Sequence, residues 1–285
     1  MSTVDFDPLT VAVRSAATVM IVRDGADGLE VFMLERTAAA TFAAGMYVFP
    51  GGRVDAGDHG ESMEPWCEGR TDADASAVLQ LPSGGLAYWV AAIRECFEEA
   101  GVLLARHAEI GEVVSFADPH VAERFERYRR DVHGGHLALA DLCAVEGLRL
   151  VTDSIGYVSH WITPIGQSRR FDTRFFVARA PEGQVPLHDD HETVASLWVR
   201  PADALERHAA GRLGMFAPTV ENLRFLAGHA TADDAVTAAE DLGGEVPAIL
   251  PKVRVDGEGK VVEILHPGHP DFETAPVYAV VGRPE

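Results

Sequence analysis

The sequence predicts an α+β fold, because short β-branched strands and a few helices follow one another without a regular βαβ alternation. Two apolar runs, 16–22 and 29–35, flank turn residues at 24–28, which is typical of a β-hairpin. The strongest helical periodicity covers 86–104, and Gly101 stands where a C-terminal cap belongs. We therefore expect strands and helices packed together in one domain.

The other elements follow in chain order. A third strand at 46–49 ends at Pro50-Gly51-Gly52, and 57–86 shows little periodicity, which favours an inserted surface segment. Helices are expected at 119–132, 137–145, 201–210 and 219–228, strands at 161–164, 173–178 and 196–200, and a hairpin within 246–285. The arginine-rich stretch 124–130 is expected to face solvent or a partner subunit.

The charge balance argues against a nucleic-acid partner. The 285 residues include 24 Lys and Arg against 44 Asp and Glu, which gives a net charge of −20 with neutral His. Such an acidic surface repels phosphate backbones unless a basic stripe is present, and only short basic clusters occur. We expect no nucleic acid as a partner.

Several absences predict a cytoplasmic protein without a membrane anchor. No run reaches the roughly 18 apolar residues that a membrane-spanning helix needs. The N-terminus carries Asp5 and Asp7 where a signal peptide would be positively charged, and the C-terminus resembles no retention or peroxisomal address. The three cysteines lack disulfide or zinc spacing, which favours a reducing compartment.

The long predicted helix carries a cluster of acidic residues. With about 100° of rotation per residue, Glu98 and Glu99 lie on either side of Glu95 on one helix face. Mutual repulsion of three carboxylates would be relieved by a hard divalent cation such as Mg²⁺. Arg94, four residues before Glu98, is placed to hold that carboxylate. The alternative is an ordinary acidic helix face in contact with water.

A glycine pair precedes this helix in the chain. Gly51 and Gly52 follow a predicted strand, where the lack of side chains lets backbone approach a ligand closely and present N–H groups to phosphate. We therefore expect both glycines to contribute to substrate binding.

Together these residues resemble the Nudix box, G-x5-E-x7-R-E-U-x-E-E-x-G-U, in which U is a bulky aliphatic residue. The matching positions are Gly52, Arg94, Glu95, Glu98, Glu99, Gly101 and Val102, with Cys96 at the first U. Asp58 stands where the first Glu is expected, and 35 residues (59–93) rather than 7 separate it from Arg94, an insertion of 28. The resemblance implies a Nudix fold, in which a mixed β-sheet lies between α-helices.

The split box is similar to one branch of the family, which contains the peroxisomal coenzyme A diphosphatase of animals and its bacterial relatives. The segments 161–164 and 170–176 also resemble that branch. A second group of coenzyme A-cleaving Nudix enzymes carries an arginine where this chain has Thr41. The resemblance covers about 14–230 of a single domain, 1–285, and leaves 231–285 as a C-terminal extension.

The resemblance also implies roles for individual residues. Glu95 and Glu99 would be the principal Mg²⁺ ligands, with Glu98 a further ligand or a base acting through water, and Mn²⁺ is an alternative metal. These carboxylates and Arg94 would form the catalytic set. Asp58 and Glu192 could be additional carboxylates of the site. Arg36 and Arg170 could hold substrate phosphates through bidentate hydrogen bonds.

By this resemblance the protein hydrolyses a nucleoside diphosphate linked to another group. Coenzyme A or acyl-CoA is the first expectation, yielding adenosine 3′,5′-bisphosphate and (acyl-)4′-phosphopantetheine. ADP-ribose, NADH or a nucleotide sugar is the second, since substrate choice depends on loops outside the box. A Nudix-fold sensor that binds a nucleotide without cleaving it is the alternative of another class. Many relatives form dimers, so the resemblance also suggests a homodimer.

Overall fold

The computed structural model describes residues 9–37, 45–60, 62–189 and 192–281. The strands are β1 (Val13–Gly25), β2 (Gly28–Arg36), β3 (Tyr47–Val48), β4 (Gly51–Arg53), β5 (Ala105–His107), β6 (Leu148–Leu150), β7 (Ile155–Ile162), β8 (Arg170–Arg179), β9 (Thr193–Val199), β10 (Ala248–Ile249), β11 (Lys252–Val255), β12 (Val261–Leu265) and β13 (Tyr278–Val280). The α-helices are α1 (Asp72–Leu79), α2 (Leu86–Ala100), α3 (Pro119–His133), α4 (Leu139–Glu146), α5 (Pro201–Ala209), α6 (Ala217–Ala227) and α7 (Ala232–Asp241). The predicted α+β class is confirmed.

An eight-stranded mixed sheet forms the centre of the fold. Its main order is β10-β7-β8-β1-β2-β3, with β4 paired to β1 and β9 paired to β2. The predicted β1–β2 hairpin is present and antiparallel, whereas β1 and β8 run parallel from the pair Val13–Arg170 to the pair Val22–Arg179. Smaller sheets are formed by β5 with β6 and by β12, β11 and β13.

The sheet lies between two layers of helices. Alternate residues of β1 face opposite sides, because successive side chains of a strand point to opposite faces. Val19 and Ile21 pack into the cluster that contains α2, whereas Met20 and Val22 pack into the cluster that contains α6 and α7. This arrangement confirms the expected sheet between helices.

The helix α2 begins where it was predicted but ends earlier. Its apolar face is buried as expected, and Gly101 follows it with a positive φ of 67°, which ends the helix at Ala100 rather than at 104. Leu103 and Leu104 are buried without being helical, and the backbone N–H of Leu103 donates to the side chain of Gln184. Their apolar character extended the apparent periodicity beyond the true end.

The segment 57–86 is not the irregular surface loop that its composition predicts. It contains α1, and Met63, Ala75 and Leu79 are buried in the core. Asp72 of α1 accepts hydrogen bonds from the backbone N–H groups of Gly84 and Leu86, at 2.9 and 3.0 Å. The insertion therefore supplies the N-terminal cap of α2, for which Gly85 provides no side chain.

The C-terminal extension contributes to the core. Helix α7 follows the expected core boundary at 230, and its Ala232, Ala235 and Ala239 are buried against the sheet. The predicted hairpin is present as β11 and β12, and β13 adds a parallel partner to β11. Among the described residues, no helix has both the length and the apolar character needed to span a bilayer.

Candidate active site

The acidic residues of helix α2 are largely shielded from water. Glu99 is 4% exposed, and the side chains of Glu95 and Glu98 are also largely buried. The opposite side of the helix is fixed in the core by Val90, Ile93 and others. This burial excludes the alternative of an ordinary solvated acidic face.

Arg94 connects the acidic residues to the chain on the other side of the insertion. Its Nε and Nη2 donate to the two carboxylate oxygens of Asp58 at 2.8 and 2.9 Å. Its Nη1 donates to Glu95 and Glu98 at 2.9 and 3.0 Å. Nη2 also donates to the carbonyl of Arg53 at 2.8 Å. The predicted Arg94–Glu98 contact is therefore present, and a single guanidinium orients three carboxylates.

Asp58 serves as the partner of this guanidinium. It is 2% exposed, and it also accepts a hydrogen bond from the backbone N–H of Asp55 at 2.7 Å. Although the insertion separates Asp58 from Arg94 in the chain, the fold brings them into direct contact. The shorter aspartate thus reaches Arg94, and both of its oxygens are engaged there.

The glycine pair lies against the carboxylates of Glu99 and Glu95. Gly51 and Gly52 belong to β4, which pairs with Thr18 and Ala17 of β1. The N–H of Gly51 donates to Oε2 of Glu99 at 2.9 Å. A Cβ at Gly52 would lie 2.5 Å from the carboxyl carbon of Glu95. The glycines therefore allow the backbone and both carboxylates to share a narrow space.

Alanine at the two glycines is expected to have different effects. Gly52→Ala displaces the flexible Glu95 carboxylate, so we expect turnover to fall about tenfold to a hundredfold with a small loss of stability. A Cβ at Gly51 would meet the backbone of β1, 2.6 Å from the carbonyl oxygen of Ala17, so Gly51→Ala should mainly lower the melting temperature. Rates and thermal denaturation separate the two, with Gly57→Ala as the control, since a Cβ there meets nothing within 4 Å. Equal loss of stability in both glycine-pair variants would contradict this assignment.

Burial and mutual repulsion raise the pKa values of two carboxyl groups. Burial first, and then the neighbouring Glu98, raise the pKa of Glu95 to about 7 against the opposing effect of Arg94. Burial, with the charge of Glu95, raises the pKa of Glu99 well above its usual range, although the Gly51 N–H and Arg36 oppose the rise. Each group therefore favours its protonated form unless a cation balances the negative charge.

The donor set fits a hard divalent cation. Two buried carboxylates repel each other across a space that the glycine pair keeps open, and carboxylate oxygen is the ligand that Mg²⁺ prefers. The described residues contain no group of three or more His, Cys, Asp or Glu side chains already placed to hold a metal. Arg94 instead directs Glu95 and Glu98, while Gly51 directs Glu99.

The pH dependence of stability follows from these raised pKa values. Between about pH 4.5 and about pH 7 the folded metal-free protein keeps protons on Glu95 and Glu99 that the unfolded chain has released. Their contribution to the free energy of unfolding therefore falls as pH rises through this range. We expect Glu95→Gln to flatten the fall in urea denaturation with a chelator present. Added Mg²⁺ should stabilise the protein more at about pH 8 than at about pH 6, because it competes with protons. An identical pH profile for the variant would contradict this account.

Arg36 and Glu192 meet at the edge of the same site. Nη2 of Arg36 donates to Oε2 of Glu192 at 3.3 Å, and the carbonyl of Glu192 accepts from the N–H of Thr37 at 3.0 Å. Both charges act on the pKa of Glu99, which Arg36 lowers and Glu192 raises. Nε of Arg36 is buried without a hydrogen-bond partner in the described part of the chain. Thr41 lies outside the described residues.

Arg170 is not brought to the carboxylates. Its buried side chain donates from Nε to the carbonyl of Thr163 at 3.0 Å. Alternation along β8 places Arg170 on the face opposite to Phe171 and Thr173, which line the cavity described below. Its expected phosphate contact therefore has no support from its position.

Two residues of α3 touch the site and were missed by the sequence analysis. Arg129 is 7% exposed rather than facing solvent, and it donates to the carbonyls of Glu98 and Glu99 at 2.8 and 2.9 Å. His133 places Nδ1 3.4 Å from Oε2 of Glu98. The buried residues Phe125, Arg129 and Val132 recur at helical spacing, which is the signal that could have identified this face.

A cavity of about 310 Å³ opens beside Gly51 and Arg36. Its walls are mainly aromatic and aliphatic, and they include Trp161 and Phe175 from the central sheet. Gly51 and Arg36 belong both to this wall and to the surroundings of Glu99, so the apolar cavity adjoins the carboxylates.

A family model of the NUDT19 Nudix domain matches residues 65–226, which is more than half of the 285-residue chain. The chain belongs to the NUDT19 Nudix family. The matched range contains α2 with Arg94 and all three glutamates of the box.

Several curated relatives are described as acyl-coenzyme A diphosphatases. The acyl-coenzyme A diphosphatase NUDT19 of Gallus gallus is 26% identical over 91% of this chain and 81% of that protein. The protein with the same description from Homo sapiens is 28% identical over 73% of this chain, and the match covers 63% of the human protein. The chain thus spans less than two thirds of the length of this human relative.

A solved structure supports the fold. The crystal structure of a Nudix hydrolase from Alicyclobacillus acidocaldarius superimposes with a TM-score of 0.66 at 28% identity, covering 80% of this chain and 97% of that chain. Together with the family match, this likeness makes the protein a Nudix hydrolase. Such hydrolases act on small nucleotide substrates and generally use divalent metals.

Proposed function

We propose that the protein is a Mg²⁺-dependent diphosphatase that hydrolyses coenzyme A or acyl-CoA to adenosine 3′,5′-bisphosphate and (acyl-)4′-phosphopantetheine. The observation that carries this proposal is the buried pair Glu95 and Glu99 beside the glycine pair, with an apolar cavity adjoining it. The relatives described as acyl-coenzyme A diphosphatases support the choice of substrate.

Four acidic residues have distinct positions in the proposed mechanism. Glu95 and Glu99 would hold the divalent cation, for which Mn²⁺ is an alternative to Mg²⁺, and Glu98 would be either a further ligand or a base acting through water. When bound, such a cation neutralises charge on the diphosphate oxygens and lowers the pKa of an attacking water. Asp58 acts through Arg94, whose position it fixes with two hydrogen bonds.

Glu98 is the best-placed proton acceptor. Arg94 donates to one of its oxygens at 3.0 Å, and His133 lies 3.4 Å from the other. These contacts hold the carboxylate in one orientation, so it can receive the proton of the attacking water. Glu192 is more exposed and is paired with Arg36, which makes it the second choice for this role.

Arg36 is the cation best placed to hold substrate phosphate. It lines the cavity, lies near Glu99 and keeps one buried nitrogen without a partner in the described residues. Gly51 lines the same cavity, and its N–H holds Glu99 there. Arg36 would align the diphosphate with the carboxylates and replace part of its hydration.

A substrate panel tests the proposal. The purified chain is incubated with Mg²⁺ and with coenzyme A, acetyl-CoA, ADP-ribose, NADH or a nucleotide sugar, and the products are separated. Adenosine 3′,5′-bisphosphate from the coenzyme A samples is the expected result. If AMP forms from ADP-ribose or NADH and no product forms from coenzyme A, the protein is a Nudix hydrolase with a different substrate. No product with either Mg²⁺ or Mn²⁺ would contradict the proposed substrate and leave either a substrate outside the panel or the sensor alternative.

Two further expectations remain predictions. The cytoplasmic location follows from the sequence patterns alone, and the homodimer follows from the resemblance alone. Cell fractionation tests the first, and light scattering of the purified chain at several concentrations tests the second.

A further inference from the structure

The C-terminal hairpin forms part of the wall of the apolar cavity. Pro251, Ile264 and His266 lie beyond the residues 65–226 that match the family model, yet they line the same cavity as Gly51. The rings of His266 and Trp161 have their centroids 6.4 Å apart. The extension is thus in contact with the space that adjoins the carboxylates.

The charge of the cavity wall limits which part of a substrate it can hold. Among the described residues that line it, Arg36 is the only one with a charged side chain, and Arg36 lies at the end shared with the carboxylates. A nucleotide that carries an additional phosphate would need further cations or N–H donors around that group. An uncharged chain with a few amides matches a wall of aromatic and aliphatic residues with isolated polar atoms.

Two residues that line the cavity each carry a polar atom without a partner in the described part of the chain. These atoms are Nε1 of Trp161 and Nδ1 of His266, and both are buried. The indole nitrogen can only donate, whereas burial lowers the pKa of His266 and keeps a neutral imidazole that can donate or accept. An amide offers a carbonyl oxygen and an N–H to such a pair, and an unpaired buried polar atom is costly.

We propose that this cavity holds the uncharged pantetheine and acyl arm of the substrate, and that Trp161 and His266 hydrogen-bond to an amide of that arm. The inference rests on the proposed function, because only a pantetheine-bearing substrate has this arm. It assigns recognition of the arm in part to a hairpin outside the matched Nudix domain, and it leaves the nucleotide half to the open side of the carboxylate cluster.

Each of the two reaction products contains one half of the substrate, so inhibition by each product measures how tightly that half binds. In the full-length protein, Trp161→Phe keeps the ring and removes the N–H, and His266→Ala removes the imidazole. Each change should raise the inhibition constant of 4′-phosphopantetheine and the KM for coenzyme A about fivefold to tenfold, as expected for one lost hydrogen bond. The inhibition constant of adenosine 3′,5′-bisphosphate and kcat should stay unchanged. His269→Ala, in the same loop but outside the cavity wall, is the matched control.

The outcomes distinguish this inference from the function on which it rests. If the variants weaken the binding of adenosine 3′,5′-bisphosphate and not that of 4′-phosphopantetheine, the cavity holds the nucleotide and the inference is wrong. If wild type cleaves coenzyme A but both variants match His269→Ala, the two side chains are structural and the inference again fails. If wild type does not cleave coenzyme A, the proposed function fails and takes the inference with it. His266→Gln provides a second variant should the alanine variant melt early.

Discussion

Replacing Glu99 by glutamine is expected to reduce turnover by about a thousandfold, since losing a metal ligand removes several kcal/mol of transition-state stabilisation. The amide has nearly the same shape, and its oxygen can still accept the 2.9 Å hydrogen bond from the N–H of Gly51. The variant should therefore fold. It also removes the repulsion between Glu99 and Glu95, so the metal-free variant should melt no earlier than wild type.

Initial rates and thermal denaturation with a chelator test this prediction together. Glu123→Gln, at an exposed position of α3 paired with Arg127, is the control for the loss of one negative charge. Turnover within about tenfold of wild type would contradict the assignment of Glu99 as a metal ligand. If Glu99→Gln folds poorly but its folded fraction keeps the wild-type rate, Glu99 has a structural role only.

Removing the Arg94 guanidinium should have the largest effect on stability. In Arg94→Met the carboxylate of Asp58, 2% exposed, loses both of its side-chain donors at 2.8 and 2.9 Å. Breaking a buried ion pair from one side costs about 3–5 kcal/mol, because the remaining charge stays buried without its partner. Turnover should fall as well, since Glu95 and Glu98 lose the group that orients them.

Urea denaturation of a double-mutant cycle measures this effect. Combining Arg94→Met with Asp58→Leu removes both charges, so the double variant should recover part of the stability that Arg94→Met loses. Arg94→Lys should not restore it fully, since an ammonium group cannot reproduce the paired contacts to Asp58. Arg53→Met, at an exposed neighbour, is the control. A cost below about 1 kcal/mol for Arg94→Met would show that the pair is solvated.

The acidic face of α2 could be predicted because helical geometry is local. The spacing of Arg94, Glu95, Glu98 and Glu99 fixes their relative directions once the segment is a helix, and the structure has that helix. The spacing did not reveal how buried the face is, since burial comes from β4 and α3, which are distant in the chain. The metal and catalytic roles of these residues stay predictions.

Helix α1 could not be predicted from the same kind of pattern. Its residues Asp72–Leu79 are mostly small or acidic, so no clear apolar stripe marks the side that is buried. Its burial and its contact with the start of α2 depend on tertiary packing. The helix-start signal was present, since Thr71 and Asp74 form a capping box.

Apart from Arg94, whose contact with Glu98 was predicted correctly, arginines were the least predictable part of the site. Three arginines have different positions in the fold. Arg36 lines a cavity, Arg129 donates to the carbonyl groups at the end of α2, and Arg170 donates to the carbonyl of Thr163. A long flexible side chain can reach several partners, so its contact is decided by the fold and not by the neighbouring residues. Of these three, local spacing was informative only for Arg129.

The contact between Asp72 and the start of α2 has a consequence for shortening the chain. Asp72 and Ser76 accept the N–H groups of Gly84, Leu86 and Gly85, so removing α1 while keeping these three residues would leave their donors unsatisfied. A shortened insertion therefore needs a new N-terminal cap for the helix that carries the carboxylates.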